Sequence, residues 1–159
     1  MAITLNDLTV NFQHLDRDSL LEDWRWLIGP NKSPVLLAAI GDAFVQDAED
    51  NSIHLLSVAT GKLQQVAADP EEFRSLLGQK EFVVNHLAVQ AIGEMIRTGV
   101  TLGPGQIYSF KQPPALGGAY ALENLEPTDI EVHFSLSGQI FEQISKLPPE
   151  AQITSVTIS

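Results

Sequence analysis

The chain has 159 residues, 44% of them hydrophobic and 18% charged, a one-domain length with enough apolar material for a sizeable core. Twenty acidic residues against nine basic ones give a formal net charge of -11, which argues against nucleic acid or an anionic membrane surface as partner, since both are gripped by Lys and Arg. The absence of cysteine excludes disulfides, thiol catalysis and cysteine-ligated zinc.

The opening MAITLNDLTV has neither a basic leader nor a long apolar stretch. The longest apolar run, residues 35–40, is far short of the roughly 20 residues that a membrane helix needs. A cytoplasmic location is the expectation. Ser19-Leu20-Leu21-Glu22 has the form of a helix capping box, and Leu20, Leu21, Trp24, Leu27 and Ile28 then fall on one helical face. Residues 1–19 are therefore read as an N-terminal extension, and residues 20–159 as the domain. Trp24 and Trp26 diverge by about 200° on such a helix, which places one in the core and leaves the other as a partly buried ring or an exposed anchor.

From Val35 the period changes. VLLAAIGDAFVQD, SIHLLSVA and KLQQVA are short apolar segments parted by AEDN and ATG, which predicts an antiparallel meander of three or four strands with a bend at Gly41. Asp69-Pro70-Glu71-Glu72 combines a capping aspartate, a proline at the first helical position and first-turn acids, so a helix follows. A longer helix is predicted over residues 81–98, with Val84, Leu87, Ala88, Ala91, Ile92 and Met95 on its apolar face. Further on, strands are predicted at 107–110, 118–123, 129–135 and 153–158, with a helix at 138–147 between the last two. The fold class is α+β: a single domain with a mainly antiparallel sheet, a meander after an N-terminal helix, two central helices and a mixed strand and helix region at the C-terminus.

Chemistry is hard to find. His14, His54, His86 and His133 are scattered, without metal-binding spacing. Asp47, Glu49 and Asn51 mimic the start of a calcium loop, but Ser52 and Val58 stand where glycine and glutamate are needed. Ser137 in SLSGQ lacks the leading glycine of a nucleophile elbow and reads as a helix cap. No catalytic residue, cofactor or metal is expected.

The densest cluster of special residues is KQPPALGGAYALENL, residues 111–125. A phosphate loop needs convergent backbone N–H donors at a helix start; here Pro113 and Pro114 remove donors, and no Gly-Lys-Ser/Thr follows. What the prolines do supply is stiffness, while Gly117 and Gly118 permit a sharp reversal. A loop that is ordered in advance loses little entropy when gripped, which suits a binding surface; a tight crossover with Tyr120 plugging the core is the structural alternative. From Gln112 to Ser145 there are five acids and no Lys or Arg. The candidate partner-binding residues are Lys111, Pro113, Pro114, Glu123, Glu126, Asp129 and Glu131, with Asp47, Glu49 and Asp50 as a second patch, both suited to a basic protein.

Two stretches carry a resemblance. GDAFVQD (41–47) and LGPGQIYSFKQPPALGGAYALENLEPTDIEVHFSLSGQI (102–140) resemble the C-terminal domain of type VI secretion immunity proteins. The shared positions are Gly41, Asp42, Phe44, Leu116, Gly117, Gly118, Tyr120, Asn124, His133, Gly138 and Gln139, and the resemblance covers about residues 20–158. A broader similarity to the SUKH group of immunity and regulatory domains is weaker. The resemblance implies a non-enzymatic protein that neutralises a toxin delivered into rival cells, at least one such toxin being a DNA-degrading enzyme. Some members carry a further domain ahead of this one, which is expected to be absent here. The alternatives are a regulatory or adaptor module with no toxin partner, or a small hydrolase or ligand-binding protein.

Overall fold

The apolar alternation of residues 32–67 builds the centre of the computed structural model, which describes residues 2–148, 153 and 155–158. Strands β1 (Thr9–Val10), β2 (Lys32–Ala38), β3 (Ala43–Asp47), β4 (Ile53–Ser57) and β5 (Lys62–Ala67) form one antiparallel sheet in chain order. The edge strand β1 follows a single-turn helix, α1 (Leu5–Leu8), and pairs Thr9 with Ala38, so the N-terminal residues belong to this sheet. A separate ribbon pairs β6 (Gln106–Phe110) with β7 (Leu125–Asp129). The fold is α+β, in one domain.

Both faces of the large sheet are covered. Phe44, Ile53 and Leu55 point into one core with Phe73, Phe82, Leu87, Ile92 and Met95. These come from α3 (Pro70–Leu77), α4 (Lys80–His86) with Leu87 at its C-cap, and α5 (Val89–Arg97). Leu37, Ala43, Val45 and Leu56 point the other way, into a core with Trp24, Ile28, Ile130 and Phe134. There the cover is a 3₁₀ turn at Glu22–Trp24, α2 (Arg25–Ile28) and α6 (Ile130–Ser145). Period-two alternation with both faces apolar is what a sheet between two helical layers requires. The α3 start follows its sequence: Asp69 accepts a hydrogen bond from Glu72 N–H at 2.8 Å, with Pro70 opening the helix.

Several elements differ from expectation. The 81–98 helix is two, because Ala88 sits in the left-handed region at φ 50° and ψ 46°. Phe82, Leu87 and Ile92 are five residues apart, so on a straight helix each would rotate by about 140° from the last; the break lets all three reach one core, and it leaves Val84 outside at 51% exposure. Asp129 ends β7, and residues 130–135 open α6 rather than continuing as a strand. Ile130, His133, Phe134 and Gly138 are buried at helical spacing while Val132 is exposed, and Asp129 caps the helix by accepting from Val132 N–H at 3.0 Å. The strand expected at 118–123 is a turn leading into a 3₁₀ segment, Leu122–Asn124. The N-terminal helix is shorter than its pattern suggests. Asp16, not Ser19, anchors the turn there, its carbonyl accepting from Ser19 and Leu20 N–H. The two tryptophans do not diverge on this tighter backbone; Trp24 is fully buried and Trp26 stacks on it at 5.8 Å. Of the strand expected at 153–158, residue 154 lies outside the described residues; 153 and 155–158 have no regular structure.

Candidate partner-binding site

The loop joining β6 to β7 is ordered by one amide. Asn124 Oδ1 accepts from Gln112 N–H at 3.1 Å, and its Nδ2 donates to the carbonyls of Gln112 and Ala119, both at 2.8 Å. Lys111 N–H donates to Asn124 O at 2.7 Å. Between these ties, Pro113 starts a 3₁₀ turn at Pro114–Leu116, and Gly117 leaves it at φ +93°. Gly118 N–H returns to Pro113 O at 3.0 Å. A Cβ on Gly118 would run into the Gln112 carbonyl, so the loop closes only around glycine at this point. Leu116 is half-buried, and its carbonyl accepts from Gln112 Nε2 at 2.8 Å. Tyr120 does not plug the core. It stands 70% exposed, its ring held edge-on against Phe110 at 5.7 Å.

Behind the loop is a buried polar contact. His133 Nε2 lies 2.7 Å from Gly41 O and Nδ1 lies 2.8 Å from Ser109 Oγ. A carbonyl can only accept, so the ring is the Nε2–H tautomer and Ser109 donates to Nδ1. Burial holds the imidazole neutral and pushes its pKa down to about 4. Gly41 has φ +103°, and a Cβ there would lie 2.8 Å from His133 Nε2, so histidine and glycine depend on each other. Tyr108 N–H donates to Ala39 O at 2.8 Å, binding the ribbon to the turn between β2 and β3. On α6, Trp26 Nε1–H donates to Gly138 O at 3.2 Å, and Gln139 Nε2 donates to Ser135 Oγ at 3.1 Å. Phe44 packs on Phe73 at 5.0 Å. These resemblance positions are framework.

Asp42 is the exception. It follows Gly41, is half-buried, and accepts one hydrogen bond, from Val58 N–H to Oδ1 at 2.9 Å. Desolvation raises its pKa to about 6, and the Val58 N–H only partly offsets this. Asp42 lines a groove of about 400 Å³ beside the loop, with Ile40, Ala91, Phe110, Tyr120 and Leu122 among its walls. In the sequence Asp42 stood out only as one of the shared positions of the resemblance, next to the bend expected at Gly41.

The predicted acids fall in different places. Glu123 and Glu126 are exposed on the loop and on β7, beside Lys111. Asp129 and Glu131 lie at the start of α6, where Asp129 is committed to capping. Asp47, Glu49 and Asp50 sit at the far end of β3, about 17 Å from Asp42 for a five-residue strand. They are engaged locally: Asp47 pairs with Lys32 at 3.2 Å, Glu49 accepts from Asn31 Nδ2 at 3.1 Å, and Asp50 accepts from Ser52 N–H and Oγ. A larger open cavity, about 570 Å³, is lined by Asp7, His14, Gly103 and Tyr108 among others. Asp7 is occupied there by the Thr4 backbone, at 2.9 Å. Among the described residues no group of three His, Cys, Asp or Glu is placed to hold a metal, and no helix is long and apolar enough to cross a membrane.

The loop, its asparagine and His133 all fall within a segment with known relatives. Residues 67–141 match the family of the T6SS immunity protein Tdi1, C-terminal. That span is just under half of the chain, and it supports the resemblance read from the Pro-Pro-x-Leu-Gly-Gly-x-Tyr stretch. It suggests an immunity protein of the type VI secretion system, with a non-enzymatic role that implies a toxin partner. Among solved structures, the crystal structure of Atu4351 from Agrobacterium tumefaciens is similar, with a TM-score of 0.54 and 18% identity. The similarity covers 79% of this chain and 65% of that one, less than two thirds of its length, and is a likeness of fold. No curated protein matches.

Proposed function

We propose that this chain neutralises a type VI toxin by binding and occluding it, and that the face carrying the 111–125 loop makes the contact. The observation that carries the reading is an overlap: the segment matched to the immunity family contains the whole of a loop that is ordered in advance and holds an aromatic ring out to solvent. Rigid, exposed tyrosines are the anchors that protein interfaces favour. A net charge of -11 speeds encounter with a basic surface, and toxins that cut DNA must present one. Binding in the cytoplasm, without catalysis and without a cofactor, is the mode that fits.

The test is co-expression in a sensitive host with each candidate type VI toxin of the same genome. Growth should be restored by the intact protein and lost with Tyr120→Ala, at unchanged expression. Full protection by the Tyr120 variant removes the loop from the contact; no protection by the intact chain ends the immunity reading.

A further inference from the structure

The groove beside the loop has an unusual composition. Among the described residues its lining includes Asp42 and is otherwise alanines, aliphatic side chains, Phe110 and Tyr120, with no Lys, Arg or His. One Asp42 oxygen takes the Val58 N–H; the other has no hydrogen-bond partner among the described residues. No buried side-chain oxygen there lacks a partner, so this second oxygen is open to solvent. A carboxylate held at an apolar wall is costly unless a cation meets it.

Resting on the immunity reading, we propose that this groove receives one arginine side chain of the toxin, its guanidinium pairing with Asp42 and its stem lying along Tyr120 and Leu122. Three features select this occupant. The single carboxylate in an apolar surround matches one cation with a hydrophobic stem. The Tyr120 ring, fixed edge-on by Phe110 and otherwise exposed, offers a face on which a planar guanidinium stacks. Guanidinium sheds water more readily than ammonium, which favours arginine over lysine in a half-buried site. A metal ion is the wrong occupant, since Asp42 is the only carboxylate lining the groove among the described residues. Ala91 on α5 keeps the space open, so a larger side chain at that position would fill it.

Binding should then depend on pH. Among the described residues the only other ionisable side chain in the groove is Tyr120; α5 contributes Ala91, and the hairpin between β4 and β5 contributes Ala59 and the Val58 N–H. On the α6 side, His133 lies behind Gly41 and stays neutral above about 4. Asp42 therefore carries the titration. With a pKa of about 6 it is mostly protonated at pH 5, so toxin affinity should be about tenfold weaker at pH 5 than at pH 7.5.

The experiment measures affinity by calorimetry for the catalytically inactivated toxin, with wild type, Asp42→Asn and Ala91→Leu. Asparagine keeps an oxygen for Val58 N–H, so folding is preserved, and Ala91→Leu tests the space without touching the charge. Affinity should fall on the order of 30-fold with Asp42→Asn, fall with Ala91→Leu, and lose its pH dependence in the asparagine variant. A second arm titrates N-acetyl-arginine amide, with its citrulline counterpart as control, and follows the amide resonances of Tyr120 to Leu122. Only the arginine probe, and only with Asp42 present, should shift them. Wild-type toxin affinity retained by both variants overturns the groove and leaves the immunity reading intact. No toxin binding by wild type, with the arginine probe still seated on Asp42, overturns the immunity reading alone.

Discussion

Replacing Asp42 with asparagine should make the protein more stable at neutral pH. The carboxyl is raised from its usual 3.8 to about 6, so ionising it in the folded state costs at most about 3 kcal/mol. Solvent at the open oxygen reduces the figure to about 1–3 kcal/mol. A raised pKa favours the fold fully below about 3.8 and withdraws that support as pH rises through about 6. His133 acts with the opposite sign. Lowered from 6.5 to about 4, it supports the fold above 6.5 and withdraws support as pH falls through 4. The two contributions, each up to about 3 kcal/mol, largely offset one another across that window in the wild type. Urea unfolding at pH 4, 6 and 8 separates them. Asp42→Asn should exceed wild type by about 1–3 kcal/mol at pH 8, with the difference shrinking toward pH 4. A variant less stable than wild type at pH 8, or a difference independent of pH, would show that the carboxyl is not desolvated.

Other outcomes follow from the same contacts. Asn124→Ala removes three hydrogen bonds from the loop and should cost about 1–3 kcal/mol in urea unfolding. Gly118→Ala forces a Cβ against the Gln112 carbonyl, and hydrogen exchange should show residues 112–124 opening more often. Asp129→Lys removes the α6 cap and should lower stability by about 1 kcal/mol, whereas the exposed Glu126→Lys should leave it unchanged and weaken toxin binding. The association rate with the toxin should fall steeply between low and high salt; a rate indifferent to salt excludes charge steering.

The meander and the Asp69-Pro70 helix start were legible because alternation and capping are local rules, and the structure obeys them locally. The α6 start was misread for an instructive reason. Ile130, Val132 and Phe134 satisfy a period of two, but Ile130, His133, Phe134 and Gly138 also satisfy a helical period, and only the docking of α6 on Trp24 and Leu37 decides between them. Ala88 gave no sign of a helix break, since nothing but the competing burial of Phe82, Leu87 and Ile92 imposes it. In the 111–125 loop, stiffness was readable from the prolines and glycines. Asp42 was not readable as a groove residue, because the groove exists only where α5 and the ribbon meet the β2–β3 turn, segments roughly 50 and 70 residues further along the chain.

The Asn124 clamp has a consequence for how such a protein changes partners. One amide fixes both ends of the reversal through main-chain atoms of residues 112 and 119, and so places no demand on the side chains at 115, 119 and 123. Those positions are free to drift under selection while the backbone that displays them holds its shape. Under the proposed function, the side chains at these positions could change one at a time to meet an altered toxin, without the loop having to refold.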